Sequence, residues 1–278
     1  MYEDGKLLRA LTRGDGTQGD NITNNIKTIR SVPIKLNNTI LNKFEIRGEI
    51  IIRNDSFEKL NRKREKLGEP LFKNPRNTAS GSIKLLDSDE VARRPLQCFL
   101  YSIVSDQIKT KNHSELLKVA REMGFDVPKY ERVVDGLNGV RDYIDFWDKN
   151  KSSLPFEIDG IVIKINNIDF QKKLGFTSKF PRWAIAYKYK SENLATKLNS
   201  ISFNVGRTGA ITPVANLKPV LISGSTVKRA SLHSFDQMMK LRLRVNDRVY
   251  VEKGGEIIPK ITGIDYNNRG FENDEIKE

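Results

Sequence analysis

Asp159-Gly-Ile-Val-Ile-Lys164 and Trp183-Ala-Ile-Ala-Tyr-Lys188 are strand-like runs within one stretch, Phe156 to Lys190, and each ends in a lysine. Side chains alternate along a strand. Lys188 therefore shares a face with Ala184 and Ala186, whereas Trp183, Ile185 and Tyr187 point the other way. Lys164 likewise shares a face with Gly160 and Val162. Two cations above small residues leave a floor open for an anionic ligand. The alternative for either run alone is a lysine at the solvated end of a core strand.

The surrounding chain sets the frame. Its 278 residues suffice for two domains, each with its own core. A content of 38% hydrophobic and 30% charged residues describes a soluble globular protein. No apolar run approaches the roughly 18–20 residues that cross a membrane, and Met-Tyr-Glu-Asp-Gly lacks a signal-peptide layout. The single cysteine, Cys98, excludes an intramolecular disulfide and a Cys-cluster zinc site built by this chain alone. A reducing, cytoplasmic setting fits. A net charge of +13 favours a polyanionic partner, nucleic acid above all.

Tyr2 to Thr12 reads as a hairpin turning at Asp4-Gly5, with a second strand over Lys6–Thr12. Only three residues precede the turn, so the chain is expected to begin inside a structural element. The Gly-rich run Thr12-Arg-Gly-Asp-Gly-Thr-Gln-Gly-Asp makes a tight loop of the kind that approaches phosphate or sugar, with an ordinary turn as the alternative. Lys43 to Arg53 is a strand with Phe44, Ile46, Gly48 and Ile50 on one face and Glu45, Arg47 and Glu49 on the other. A helix over Ser56–Leu67 follows an Asp55/Glu58 capping-box pattern. In Lys73-Asn-Pro-Arg-Asn-Thr-Ala-Ser-Gly-Ser-Ile-Lys84, Asn77 or Thr78 caps a short helix whose hydroxyls and cations suit phosphates. Gln97–Val104 reads as a buried strand, with helices near Ser114–Met123 and Asn138–Trp147, the latter presenting Val140, Tyr143, Ile144 and Trp147 as core.

Beyond Lys190 the texture changes. Ser191–Lys197 reads as a linker. Short strands follow at Ile201–Val205, Thr212–Leu217, Ser225–Arg229, Arg248–Val251 and Ile257–Ile264, with an amphipathic insert at Leu232–Leu241. That pattern predicts a small barrel of the OB type. Residues 197–260 hold 11 Lys and Arg against 4 Asp and Glu, which points to nucleic acid.

Eight runs in order resemble the bacterial NAD-dependent DNA ligases. In the first part they are Thr12-Arg-Gly-Asp-Gly-Thr, Glu45-Ile-Arg-Gly-Glu49, Asn74-Pro-Arg-Asn-Thr-Ala-Ser-Gly-Ser82 and the two lysine-ended runs, the second from Pro181. In the second part they are Val205-Gly-Arg-Thr-Gly-Ala-Ile-Thr-Pro-Val-Ala215, Arg229-Ala-Ser-Leu-His233 and Gly254-Gly-Glu-Ile-Ile-Pro-Lys260. The resemblance implies an α+β nucleotidyltransferase (adenylation) domain, ATP-grasp-like, of antiparallel sheets with flanking helices over residues 1–190. An all-β OB-fold DNA-binding barrel would follow over 191–278.

It also implies a chemistry. A lysine attacks the α-phosphate of NAD to form lysyl-AMP; AMP passes to the 5′-phosphate at a nick in duplex DNA; the 3′-hydroxyl displaces it. Mg²⁺ and cations stabilise the charge of each phosphoryl transfer. Carried over by position, Arg13 and Glu49 contact NAD or AMP, and Lys164 and Lys188 are motif lysines near the adenylate. Asp159 is the motif carboxylate of phosphoryl transfer and a possible Mg²⁺ ligand. Arg76 serves the nick phosphate, with Lys84, and Arg207, Arg229 and His233 face DNA. A monomer is implied.

The departures are specific. The family's nucleophile lies in Lys-x-Asp-Gly, which occurs nowhere in these 278 residues. Lys84 and Lys151 stand where relatives often carry arginine, which has a different phosphate geometry. The expectation is an internal piece of a ligase unable to self-adenylate. The nicotinamide-binding domain would lie upstream; the zinc finger (the one place zinc is expected), helix-hairpin-helix region and BRCT domain would lie downstream. The rivals are a non-catalytic binder of nicked DNA and another nucleotidyltransferase, such as an RNA ligase.

Overall fold

The computed structural model describes residues 1–36, 41–178, 180–190, 193–222, 225–252 and 258–269. It divides into two units, Met1–Tyr187 and Lys188–Glu278. In chain order the elements of the first are β1 (Tyr2–Glu3), β2 (Lys6–Leu7), α1 (Thr23–Lys27), β3 (Lys43–Ile52), α2 (Asn54–Lys66), α3 (Pro75–Ser82) and α4 (Ser88–Ala92). There follow β4 (Leu96–Val104), α5 (His113–Glu122), α6 (Gly136–Asn150), β5 (Gly160–Lys164), α7 (Ile168–Leu174) and β6 (Ala184–Lys188), whose last residue opens the second unit. One sheet has the order β2-β1-β3-β4, and the two lysine-ended strands pair as a separate β5-β6 ribbon.

The hairpin turns at Asp4 and Gly5, both at positive φ (48° and 73°), as a two-residue turn between twisted strands requires. Its second strand stops at Leu7 rather than Thr12, because the N–H groups of Leu8 and Arg9 turn back onto the Met1 carbonyl. Tyr2 pairs with Leu7 on one side and Phe44 on the other, so β1 is an interior strand. Its ring stacks on Phe44 with centroids 5.3 Å apart and meets Phe125 edge-on. Ile103, Leu116, Ala120 and Met123 complete this core against β4 and α5. Each large apolar side chain buried there contributes about 1.5–3 kcal/mol.

Helix starts differ from the sequence reading. The N-cap of α2 is Arg53, without a side-chain cap, and Asp55 lies in the first turn beside Arg53 at 3.5 Å, so no capping box forms. The cap of α3 is Asn74, not Asn77 or Thr78: its side-chain oxygen accepts from Asn77 N–H at 3.0 Å, and Pro75 occupies the first turn, where a missing N–H is harmless. The expected stripe of α6 is half-buried, with Trp147 edge-on to Tyr130 and Phe146.

The second unit contains β7 (Asn193–Val205), β8 (Ile211–Ile222), β9 (Ser225–Ser231), α8 (Phe235–Leu241), β10 (Arg248–Glu252) and β11 (Lys260–Ile264). They close a barrel in the order β10-β11-β9-β8-β7, with β11 parallel to β9 through Lys260 and Ser231. Five strands, one parallel contact and a helix between β9 and β10 make an OB-fold barrel. The expected linker is instead strand over its described part: Asn193 to Lys197 pair with Glu252 to Arg248. Residues 191–192, and Gly254 to Ile257 of the last quoted run, lie outside the described residues. Alternation fills the interior with Leu198, Leu217, Val249, Val251 and Ile261. Asp247, fully buried, accepts from Arg269 through both carboxylate oxygens, at 2.9 and 2.7 Å, and from Arg244 N–H at 2.7 Å.

Candidate functional site

The β3–β4 pair has a bulge. Arg47 pairs with Ser102 and Gly48 with Leu100, leaving Tyr101 as an extra residue on β4. A bulge re-aims its side chain, and Tyr101 is 46% exposed, as Val104 is at 45%, on a strand expected to be buried whose other residues are buried or half-buried. Gly48 permits the close approach: a Cβ there would lie 2.8 Å from both Cys98 Sγ and the Phe99 carbonyl oxygen. Partial burial and the charge of Glu49 push the Tyr101 phenol above its ordinary pKa, against the opposing charges of Arg47 and Arg13. Glu49 and Arg13 are both exposed. The charges of two sequence-predicted residues, Glu49 and Arg13, thus act on a tyrosine that the motifs did not single out.

Lys164 joins them from the ribbon. Its ammonium donates to the Tyr101 carbonyl at 3.1 Å, lies 5.2 Å from the Tyr101 ring centroid and sits 3.3 Å from His113 Nε2. Desolvation holds the Lys164 pKa down at about 8. His113 is buried at the first turn of α5, and its pKa is lowered to about 4 by desolvation and then by the Lys164 charge. The neutral ring thus accepts from the ammonium. Backbone bonds fix this meeting: His113 N–H donates to the Asn166 carbonyl at 2.7 Å, Ile168 N–H to the Lys111 carbonyl at 2.9 Å, and Ile165 N–H to the Trp183 carbonyl at 2.9 Å. His113 and the ring of Trp183, 6.4 Å away, carried no signal in the sequence beyond ordinary core composition.

The Gly-rich loop closes on itself. Asp15 accepts from Thr17 N–H, Thr17 Oγ1 and Gln18 N–H, each at 2.8 Å, and these bonds hold its carboxyl down at about 2. Lys84, past the end of α3, pairs with Asp20 at 2.9 Å. Buried Asn25 clamps the same turn by donating to the Ile83 and Leu85 carbonyls. Arg76 projects from α3 and donates to the Asp159 carboxylate at 3.1 Å. Both predicted residues are exposed and already paired with each other. With Asp159 so engaged, and no group of three His, Cys, Asp or Glu side chains gathered among the described residues, a Mg²⁺ cage built from protein ligands alone does not fit. Lys188 closes β6, exposed, on the second unit's side of the boundary.

In the barrel, Arg207 is exposed in the β7–β8 turn, where Gly206 N–H donates to the Ala210 carbonyl at 2.8 Å. Arg229 is exposed on β9 opposite Asn216. His233 is exposed in the left-handed region at φ 60°, its N–H donating to Ser231 Oγ.

Residues 1–192 match the model of the NAD-dependent DNA ligase adenylation domain, and residues 195–273 match that of the NAD-dependent DNA ligase OB-fold domain. The chain belongs to the NAD-dependent DNA ligases. It is similar to a DNA ligase of Flavobacterium psychrophilum, at 58% identity over 96% of this chain and 40% of that protein. A DNA ligase of Flavobacterium johnsoniae is 56% identical over 100% of this chain and 41% of its own length. One of Bacteroides fragilis is 51% identical over 99% and 42%. The chain thus spans about two fifths of the curated relatives it matches. Among the described residues no helix is long and apolar enough to cross a membrane.

Proposed function

We propose that this chain is the adenylate-binding and DNA-facing part of an NAD-dependent DNA ligase. Such an enzyme seals 5′-phosphate/3′-hydroxyl nicks in duplex DNA, through lysyl-AMP and DNA-adenylate, in replication and repair. The placing of the Lys164 ammonium against exposed Tyr101, on which the charges of Glu49 and Arg13 also act, carries this reading. An exposed aromatic face suits a purine. The exposed carboxylate of Glu49 suits ribose hydroxyls, which donate to it. The Lys164 ammonium, 5.2 Å from the ring centroid, suits the α-phosphate, whose negative charge it binds in the ground state and stabilises as it redistributes.

NAD is the substrate, and its AMP half is the part these residues hold. Lys188 adds a second cation at the end of the ribbon. Arg76 and Lys84 engage the nick phosphate by exchanging the carboxylates of Asp159 and Asp20 for phosphate oxygens, while Arg207, Arg229 and His233 contact the DNA backbone. Any Mg²⁺ arrives with the substrate phosphates, since that ion takes few protein carboxylates and keeps phosphate and water ligands. Without Lys-x-Asp-Gly, the chain holds NAD or AMP non-covalently.

Incubation with ³²P-adenylate-labelled NAD and Mg²⁺, followed by denaturing electrophoresis, tests the last point. The expected result is an unlabelled chain that nonetheless binds AMP at equilibrium. A labelled band lost on Lys164→Met would overturn it, because desolvation lowers the Lys164 pKa to about 8 and so favours the nucleophilic free amine there.

A further inference from the structure

Three cations stand in a row across the outer wall of the barrel. Arg248 on β10 pairs directly with Lys197 on β7. Leu198 pairs with Leu217, and the same antiparallel register carried one step sets Lys197 opposite Lys218 on β8. All three side chains are exposed, while their neighbours Leu198, Leu217 and Val249 are buried, so the cations share the outward face. Adjacent strands lie about 4.8 Å apart, and like charges directly opposite each other destabilise a sheet. Among the described residues neither Lys197 nor Lys218 has an ion-pair partner, and Arg248 has only Asp265 at 3.8 Å. The nearby carboxylate of Asp247 is buried and bound to Arg269.

The wall is concave here. The pairing of β8 slips between Asn216 and Val220 against β9, and that of β7 slips between Leu198 and Ser200 against β8. The resulting groove, about 430 Å³, is lined by the three cations with Thr196, Pro219 and Asn246. Thr196 Oγ1 donates to the Lys218 carbonyl at 2.7 Å and anchors the floor. The row lies about 25–30 Å along the strands from the Arg207 turn, at about 3.3 Å per residue.

We infer that Lys197, Lys218 and Arg248 form a second phosphate-binding site, separate from the Arg207 turn, that takes phosphoryl groups in its groove. Binding would relieve the repulsion within the row. A strand spanning it carries successive phosphates at about 3.4 Å of rise per strand, so the backbone of nucleic acid and free inorganic phosphate are both sources of the recognised group. Only the first source rests on the reading of the barrel as DNA-binding.

The test uses the whole chain in two arms. In the first, inorganic phosphate is titrated into ¹⁵N-labelled protein; the amides of residues 197, 218 and 248 are expected to shift, saturably, and not in the Lys197→Gln/Lys218→Gln variant. In the second, fluorescent nicked duplex is bound at several salt concentrations. The double variant, still folded by circular dichroism, is expected to lower the salt slope by about one to two. Phosphate shifts with an unchanged DNA slope would assign the site to free phosphate. Phosphate shifts in a chain that binds no DNA would keep the site and remove the DNA-binding reading. Unmoved amides with an unchanged slope would overturn the inference.

Discussion

The Nζ of Lys164 and the Nε2 of His113 lie 3.3 Å apart, a cation donating to a buried neutral imidazole. The pair joins the lysine-ended ribbon to the start of α5 and aims Lys164 at Tyr101. Its chemistry makes the fold sensitive to acid.

His113 has a folded-state pKa of about 4, below the ordinary value of 6.5. The unfolded chain therefore binds more protons between those two values, and stability rises with pH across that window. Acidification from pH 6.5 to 4 is expected to remove about 3 kcal/mol. Urea denaturation at a series of pH values should show this slope in the natural chain and lose it in His113→Asn. The chain has two histidines, so NMR titration can check the cause: Lys164→Met should raise the pKa of one and leave His233 alone.

Gly48→Ala should disturb the Tyr101 bulge, since the added methyl would press on Cys98 Sγ and the Phe99 carbonyl oxygen. Overpacking of that kind costs about 1–3 kcal/mol. A lowered unfolding midpoint, with altered Tyr101 ring resonances, is the expected result.

In the barrel, Arg269→Ala leaves the buried carboxylate of Asp247 without its bidentate partner. Breaking a buried pair from one side costs about 3–5 kcal/mol. Arg269→Lys should restore only part of this, because an ammonium cannot reproduce the planar fork. Chemical denaturation of the three forms checks the order.

Much of this was readable in the sequence because alternation and turn chemistry are local. The Asp4-Gly5 turn, the two lysine-ended strands and the apolar-in pattern of the barrel follow from neighbours in the chain. The bulge at Tyr101 does not, because nothing in Leu96–Val104 says which residue is extra; the register is set against β3. The pairs Asp20–Lys84 and Arg76–Asp159 join residues far apart in sequence, so each looked like an independent charge. The helices α1, α4 and α7 are too short to form alone and carry little periodicity of their own. The polar start of β7 resembled a linker until β10 supplied its hydrogen bonds.

The most direct measurement is calorimetric titration of AMP into the natural chain, Tyr101→Phe, Tyr101→Ala and Lys164→Met. The expected result is saturable binding that survives Tyr101→Phe and weakens by about 1–3 kcal/mol, roughly 5- to 150-fold, in Tyr101→Ala. Lys164→Met should weaken it as well. An adenylate that fails to bind, or that binds all four proteins alike, would contradict a site built around Tyr101 and Lys164.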